Sequence, residues 1–343
     1  MNSDVQANDT VRDDLERFVG RRLGPYNSYN AVNRAQIWQW CSALGDDNPL
    51  YLPADDGPAV APPAMMQMWT MRDSHFRYAP GSTDAHPFEV LAVLKEHGFG
   101  ANVAVSYDLR FHRYLREGDR VQHYSSIAAI SPRKRTALGE GYFVTERAEY
   151  IDGAGECFAE ATISYFAYRA AARGDDDGAG AGEAQKTAAG AAAPPVKENA
   201  DALRCNAGPM PAAQPGDRLP PLPIPVTATL IVAGAIASQD FTEVHHDHAA
   251  ARAAGMPDIF MNILTTCGLS ARYLTDWAGP GARLRSLAFR LFAPNTPGDC
   301  MRFSGEVENA VEADGERQLR IAFKGANGLG MHVAGTGTLA TPC

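Results

Sequence analysis

Apolar residues recur along this chain with two periods, and both halves of the chain use them in the same order. In the first half, residues 34–44 have helical spacing, which places Ile37, Trp38, Cys41 and Leu44 on one face. A second apolar stretch at 64–71 predicts the start of a central helix. Alternating apolar residues then predict antiparallel strands at 103–111, 120–130, 141–149 and 157–166.

The second half repeats this order. A strand is predicted at 224–231, a short helical stretch follows, and a longer amphipathic helix is predicted at 262–277. Strand-like runs then cover 284–292, 300–307, 317–323 and 331–339. Each half therefore predicts a sheet wrapped around a central helix, an arrangement that buries one face of each element.

Residues 170–217 separate the two halves and differ from both in composition. They are rich in Ala, Gly and Pro and lack hydrophobic periodicity, which is typical of a linker. We therefore predict a first domain at 1–169, a linker at 170–217 and a second domain at 218–343.

One short motif occurs once in each half. Asp46 precedes Tyr51 by five positions, and Asp240 precedes His245 by five positions. Of the two rings, only His takes up or releases a proton near neutral pH, so the second copy alone is suited to acid–base chemistry. A second repeat supports a duplication, because Arg110 and Arg290 each lie eight residues before a Gly-Asp turn. These two arginines are interpreted as strand-pinning residues rather than as binders of phosphate.

Composition and charge exclude several classes of function. The 343 residues are 45% hydrophobic and 21% charged, with a formal net charge of −9, which argues against nucleic acid or an anionic membrane as partner. The longest apolar stretch, 228–237, is too short to span a bilayer. The polar N-terminus indicates no signal peptide, and six scattered cysteines indicate reduced thiols in a cytoplasmic protein. The adjacent residues His245, His246, Asp247 and His248 cannot all converge on one ion, so no metal site is predicted.

The two motifs resemble the signature of the (R)-specific enoyl-CoA hydratases of the MaoC-like family, Gly-Asp-x-Asn-Pro-x-His followed closely by Asp. The first copy keeps Gly45, Asp46, Asn48 and Pro49 but has Tyr51 in place of His. The second copy keeps Asp240, His245 and Asp247, with Thr242 and Glu243 in place of Asn and Pro. The resemblance covers residues 10–170 and 218–343. It implies an α+β double hotdog in which one half is catalytic and the other widens the acyl pocket.

Longer segments resemble the two-subunit hydratases of bacterial steroid side-chain breakdown. The stretches that begin at Asp258 and Arg272 are similar to the catalytic subunit, and the Ala-Pro-Pro segment at 61–63 is similar to its partner. The chain thus resembles a fusion of the two subunits.

The resemblance implies that Asp240 and His245 activate one water for addition to an enoyl thioester. It also places the backbone N–H of Asn262, where the family typically has Gly, as donor to the thioester oxygen. Met65, Met68 and Trp69 are predicted to line an acyl pocket, with ordinary core packing as the alternative. Tyr51 is expected in the pocket wall. No cofactor is expected apart from the coenzyme A of the substrate.

Two other functions stay open at this point. A hotdog thioesterase tends to carry a carboxylate within the central helix, and 262–277 has only Asp276, at its far end. The second of these functions is that of a non-catalytic subunit that binds acyl thioesters. The expected partner is an acyl-CoA or carrier-protein thioester, and a homodimer is expected because each half has sheet edges to cover.

Overall fold

The computed structural model describes residues 10–54, 57–136, 138–170, 213–313 and 315–342, in which helices alternate with antiparallel strands. The first half contains helices α1 (Thr10–Leu15), α2 (Arg34–Leu44) and α3 (Glu89–Glu96) and strands β1 (Arg22–Asn27), β2 (Ala101–Phe111), β3 (Val121–Ile130), β4 (Lys134–Thr136), β5 (Gly139–Asp152) and β6 (Cys157–Ala170). The second half contains β7 (Arg218–Val226), α4 (Ala228–Ala237), α5 (His248–Ala253), α6 (Ile263–Ala278), β8 (Arg283–Leu291), β9 (Asp299–Ala313), β10 (Glu316–Asn327) and β11 (Gly330–Pro342). The strand runs predicted after each motif are confirmed.

One continuous sheet of eleven strands runs through both halves. Its order is β1-β3-β5-β6-β2 and then β8-β11-β10-β9-β7, with β4 beside β5. The halves meet where β2 pairs with β8, and Asp108 lies opposite Ala288, with Arg110 opposite Ser286 and Ser106 opposite Arg290. Because Arg110 and Arg290 are equivalent in the duplication, a pseudo-two-fold axis passes between Asp108 and Ala288.

The sheet of the second half wraps around helix α6. It begins after Asn262, whose side-chain oxygen accepts a hydrogen bond from the N–H of Thr265 at 2.8 Å. The facing side chains of the sheet are apolar and buried: Met301, Phe303, Val307, Leu319, Ile321, Phe323, Val333 and Leu339. Gly337 permits close approach, because a Cβ there would lie 2.3 Å from the Leu274 side chain. The predicted helix at 262–277 is therefore confirmed, with Asn262 as its cap.

The first half differs from the prediction of a long central helix. Its apolar stretch forms two 3₁₀ turns, Pro63–Met65 and Met68–Thr70. Polar side chains of this segment bond to the sheet: Gln67 accepts from the Tyr107 hydroxyl, and Thr70 Oγ1 lies 2.8 Å from His123 Nδ1. These tertiary contacts, together with the prolines that open the segment, outweigh the helical spacing.

Two local predictions are wrong. Trp38 is 62% exposed, and Trp40 takes its place on the buried face of α2. The strand predicted at 224–231 ends at Val226, because Thr227 caps α4 by accepting a hydrogen bond from the N–H of Leu230 at 3.0 Å.

The outer edges of the sheet are β1 and β7, and both contain proline. Pro25 lies in β1, and Pro220, Pro221, Pro223 and Pro225 lie in β7. Proline has no N–H to offer a further strand, so these edges are poor templates for pairing. The homodimer stays a prediction, but sheet edges are a weak reason for it.

The predicted linker at 170–217 falls mainly on residues 171–212, which lie outside the described residues, and the division into domains stays a prediction. Strand β6 ends at Ala170 and β7 begins at Arg218. Within the described ranges, no helix combines the length and the apolar composition needed to cross a bilayer.

The inner face of the first-half sheet is polar and aromatic, in contrast to the apolar face around α6. Tyr26, His123, Ser125, Glu146 and Tyr150 are all buried there. Ser125 donates to the Glu146 carboxyl. Burial raises the pKa of Glu146 from 4.5 to about 7, so this carboxyl holds its proton more tightly in the folded protein than in the unfolded chain.

We expect Glu146→Gln to remove a pH-dependent loss of stability. The raised pKa stabilises the wild type fully below about pH 4.5, and this contribution is lost as the pH rises through about 7. Above that pH the variant should be more stable than the wild type, by up to about 3 kcal/mol. Urea unfolding at a series of pH values measures the difference. Glu149→Gln, on the same strand but at the surface beside Arg22, is the control and should follow the wild type. Parallel pH profiles for wild type and Glu146→Gln would contradict the assignment.

Candidate active site

Asp240 is held in a turn directly after α4. Its N–H bonds to the Ala235 carbonyl at 2.9 Å, and the preceding Gln239 has a left-handed backbone with φ of 55°. Gly45 has the same conformation, with φ of 64°, before Asp46. The duplicated motifs therefore share a backbone turn that aims the Asp side chain.

The Asp240 carboxylate accepts three hydrogen bonds, which fix its orientation. Oδ1 accepts from the Thr242 hydroxyl at 2.7 Å and from the Thr242 N–H at 3.3 Å. Oδ2 accepts from the Asn262 side-chain amide at 3.0 Å. Thr242, which departs from the family signature, thus holds the carboxylate itself.

His245 lies in a 3₁₀ turn, Glu243–His245, and its side chain is buried. Its Nδ1 lies 2.7 Å from the Phe260 carbonyl, which can only accept, so Nδ1 carries the proton of the neutral ring. Nε2 is then a free acceptor, and it faces Asp240 Oδ2 at 3.5 Å. Two acceptors at this separation can each take one hydrogen of a single water, which leaves the water oxygen free to react.

The beginning of α6 lies beside this pair. Asn262 joins the two features, because its amide also donates to Ser238 Oγ at 2.9 Å while its oxygen caps the helix. Within the described residues, the N–H groups of Asn262, Ile263 and Leu264 have no hydrogen-bond acceptor. Helix N-termini favour negative charge, so these donors can stabilise an oxyanion.

Two further residues at this end of α6 were missed from the sequence. Thr266 Oγ1 lies 2.9 Å from His332 Nε2, and His332 Nδ1 lies 2.7 Å from the Ala293 carbonyl. Burial lowers the pKa of His332 to about 4, so its ring is neutral and supports α6 without charge. The strand predicted at 331–339 did not indicate this, because His332 lies at a register shift where Met331 and Val333 pair with the adjacent residues Ala326 and Gly325.

A ring of the first half lies near enough to this site to be influenced by the charge of Asp240. Tyr165 lies on β6, and its pKa is raised by burial and then by nearby acidic groups, among them Glu146 and Asp240. Half-buried rings continue from it, with Phe88 at 5.8 Å from Tyr165 and His86 at 5.5 Å from Phe88 between ring centroids. No local pattern marked this row, because its members are brought together only by the fold.

The other predicted residues lie in the core. Met65, Met68 and Trp69 are all buried, with the turn of Met65 against α6 and the turn of Met68 and Trp69 against β3. No hydrogen bond or ring contact in the described part of the chain joins them to Asp240 or His245. Tyr51 is 2% exposed, and burial raises its pKa well above the usual range. Asp46 is buried as well, which raises its pKa to about 6. The side chains of Asp46 and Tyr51 are therefore closed to solvent.

Asp247 and His248, which follow His245, form hydrogen bonds outside the Asp240–His245 pair. The Asp247 side chain caps α5 by accepting from Ala249 and Ala250, and His248 bonds to Asp258. Among the described residues, no group of His, Cys, Asp and Glu side chains converges as metal ligands would.

Each half of the chain matches a protein-family model. Residues 17–161 match the FAS1-like dehydratase domain region, and residues 212–324 match the MaoC-like domain. The β subunit of 3-oxo-4,17-pregnadiene-20-carboxyl-CoA hydratase from Mycobacterium tuberculosis is 45% identical over 121 residues, which are 35% of this chain and 91% of that protein. The chain belongs to the MaoC-like dehydratase family.

A probable enoyl-CoA hydratase α subunit of Thermomonospora curvata is another relative of this MaoC-like chain, with 40% identity over 152 residues. The match covers 42% of this chain and 48% of the relative, so the chain spans about half of that protein's length.

Solved structures establish the fold. A MaoC-like dehydratase superposes with a TM-score of 0.65 at 17% identity and covers 96% of this chain and 99% of its own. A double hotdog protein of Mycobacterium tuberculosis superposes with a TM-score of 0.55 at 15% identity, covering 96% of this chain and 98% of its own. The predicted α+β double hotdog is confirmed.

We expect the cap at Asn262 to contribute to stability separately from its bond to Asp240. Asn262→Ser keeps an oxygen that can accept from Thr265, whereas Asn262→Ala removes it. The Ala variant should have a free energy of unfolding about 1 kcal/mol below that of the Ser variant. Urea denaturation measures the difference, and equal stability of the two variants would show that the cap is unimportant here.

Proposed function

We propose that the chain catalyses (R)-specific hydration of trans-2-enoyl thioesters, or the reverse dehydration of 3-hydroxyacyl thioesters. The observation that carries this proposal is the gap of 3.5 Å between Asp240 Oδ2 and His245 Nε2, beside the N-terminus of α6. Both atoms accept, so a water that donates one hydrogen to each of them is oriented by the protein before substrate reacts.

In the proposed hydration, one of these groups takes a proton from the water as its oxygen attacks the β-carbon. A proton is delivered to the α-carbon, and the enolate that forms in between places negative charge on the thioester oxygen. Backbone donors at the first turn of α6, including the N–H of Asn262, are the groups proposed to stabilise that charge. Asp240 and His245 hence act as an acid–base pair on a single water.

The asymmetry between the two motifs supports a single site. Tyr51 occupies the position of His245 but is enclosed, and a phenol whose pKa is raised by burial is a poor base. We infer that the first half supports the second-half site rather than working beside it.

We propose that the acyl group lies along the half-buried rings that lead away from Asp240, namely Tyr165, Phe88 and His86. These rings offer an apolar surface wide enough for a bulky acyl group. The relative from Mycobacterium tuberculosis is named for a steroid-derived CoA substrate, which supports an acyl-CoA of that size. Met65, Met68 and Trp69 would then stiffen the wall behind the rings.

The curated relatives bear the names of separate α and β subunits, and this chain matches one family model in each half. We propose that it unites both roles in one cytoplasmic chain, which associates further as a homodimer.

Thioester hydrolysis is disfavoured by the surroundings of Asp276. Its carboxylate accepts from Arg272 Nε at 3.0 Å within a buried pair, so it is not free to attack or to activate water. Absence of free CoA among the products would agree with this reading.

We expect Asp240→Asn and His245→Gln each to lower turnover of an enoyl-CoA by at least about a hundredfold, because each removes one member of the acid–base pair. Loss of the conjugated-thioester absorbance measures turnover, and thermal unfolding checks the fold. Tyr51→Phe is the matched control in the other motif and should keep most of the activity. Near-normal turnover in either site variant would refute the proposal.

We expect Phe88→Ala to weaken binding of bulky substrates selectively. Removing the ring shortens the row next to Tyr165, so KM should rise for a polycyclic enoyl-CoA and change little for a four-carbon one. Phe292→Ala, at a ring that is 59% exposed, is the control. An equal change in KM for both substrates would contradict the proposed acyl path.

A further inference from the structure

A cavity of about 520 Å³ opens near the C-terminal end of α6, away from Asp240 and His245. Its lining includes Leu50, Val60, Tyr114 and four arginines: Arg113, Arg116, Arg283 and Arg285. Helix α6 has 16 residues, so its two ends are separated by roughly 24 Å. The cavity is thus distinct from the site described above, and its volume lies within the range of small-ligand pockets.

The charge of this cavity is opposite to that of the whole chain, which carries −9. Arg113 is neutralised, because it pairs with Asp119 at 2.7 Å and with Asp152. Arg285 pairs with Glu316. Within the described residues, no carboxylate pairs with Arg116 or Arg283. Two guanidinium groups of the lining are therefore available to an anion.

Arg283 is held in place without losing its charge. Its Nη1 donates to the carbonyls of Pro280 and Ala282 at 3.1 Å each, and its guanidinium lies 5.7 Å from the centre of the Tyr114 ring. A fixed guanidinium beside an aromatic ring is suited to a phosphate attached to a flat base.

The pseudo-two-fold axis relates this cavity to the entrance of the Asp240–His245 site. Ala61 N–H bonds to the Leu115 carbonyl at 2.9 Å, as Met261 N–H bonds to the Asn295 carbonyl at 3.0 Å. Val60, in the cavity wall, is therefore the equivalent of Phe260, whose carbonyl accepts from His245. The cavity stands where a second active site would open.

The floor of the cavity separates it from the Asp46 and Tyr51 side chains of the first motif. Leu284 N–H donates to the Tyr114 hydroxyl at 2.6 Å, which fixes the ring. Asp46 and Tyr51 lie close enough to Tyr114 for their charges to interact, yet both are buried and neither lines the cavity. A ligand in the cavity consequently meets neither member of the first motif, and the imidazole and carboxylate that do line it, His112 and Asp119, are paired with Glu160 and Arg113.

We propose that this cavity is a second, non-catalytic binding site for a phosphorylated ligand of nucleotide size, with Arg116 and Arg283 as its phosphate contacts. The shared chemistry is an adenosine that bears a diphosphate. Its source can be a free nucleotide or the nucleotide end of coenzyme A, and the test separates these. The inference depends on the cavity alone and stands whether or not the chain hydrates enoyl thioesters.

Isothermal titration of the full chain with ADP, with coenzyme A and with adenosine tests the proposal. ADP and coenzyme A should bind, adenosine should not bind measurably, and added salt should weaken binding because the contact is ionic. Preference for coenzyme A over ADP would identify coenzyme A as the source, and equal affinity would identify the nucleotide alone.

Arg283→Gln and Arg116→Gln should each weaken ADP binding by about tenfold or more, since each removes a charge-assisted hydrogen bond. Arg290→Gln is the matched control, because Arg290 is exposed on β8 but outside the cavity. Arg116 is exposed and is not needed for the fold, so its variant remains informative if Arg283→Gln unfolds. No binding of ADP by the wild type, or unchanged affinity in Arg116→Gln, would overturn the proposal.

Discussion

The pairing of β2 with β8 is the contact on which the rest of the molecule depends. It joins two sheets into one and sets the pseudo-two-fold axis at Asp108 and Ala288. Because of that axis, the central segments of the two halves run in opposite directions. The Asp240–His245 entrance and the arginine cavity therefore lie at opposite ends of α6. It also brings Tyr165 of the first half within range of the charge of Asp240 in the second. The cavity with Arg116 and Arg283 takes its lining from both halves and would be incomplete in either alone.

The halves divide their tasks through the contents of their sheets. The second half encloses a long helix in an apolar face, which gives Asp240, His245 and Asn262 a rigid base. The first half replaces that helix with short turns and hydrogen-bonded polar side chains, including Gln67 and Thr70. Rigidity at the proposed reacting groups and polar, aromatic surroundings at the proposed acyl side thus come from different copies of one duplicated plan.

Periodicity predicted most strands and helix α6, because these elements bury one face and alternate accordingly. It failed at 64–71, where tertiary hydrogen bonds determine the backbone conformation. It also failed on α2, where a small angular error predicted Trp38 to be buried although Trp40 is the buried ring. The motif identified Asp240 and His245 as candidates. It did not reveal the amide of Asn262, the hydroxyl of Thr242 or the ring of His332 as their supports, because those contacts arise only after distant segments pack.

A covalent link between the halves has a genetic consequence. In an assembly of two identical hotdog chains, every substitution appears at both symmetry-related entrances, so neither can change alone. Here each entrance has its own codons. One entrance could exchange His for Tyr and gain arginines from both halves while the other kept the proposed acid–base pair, and selection could act on each separately.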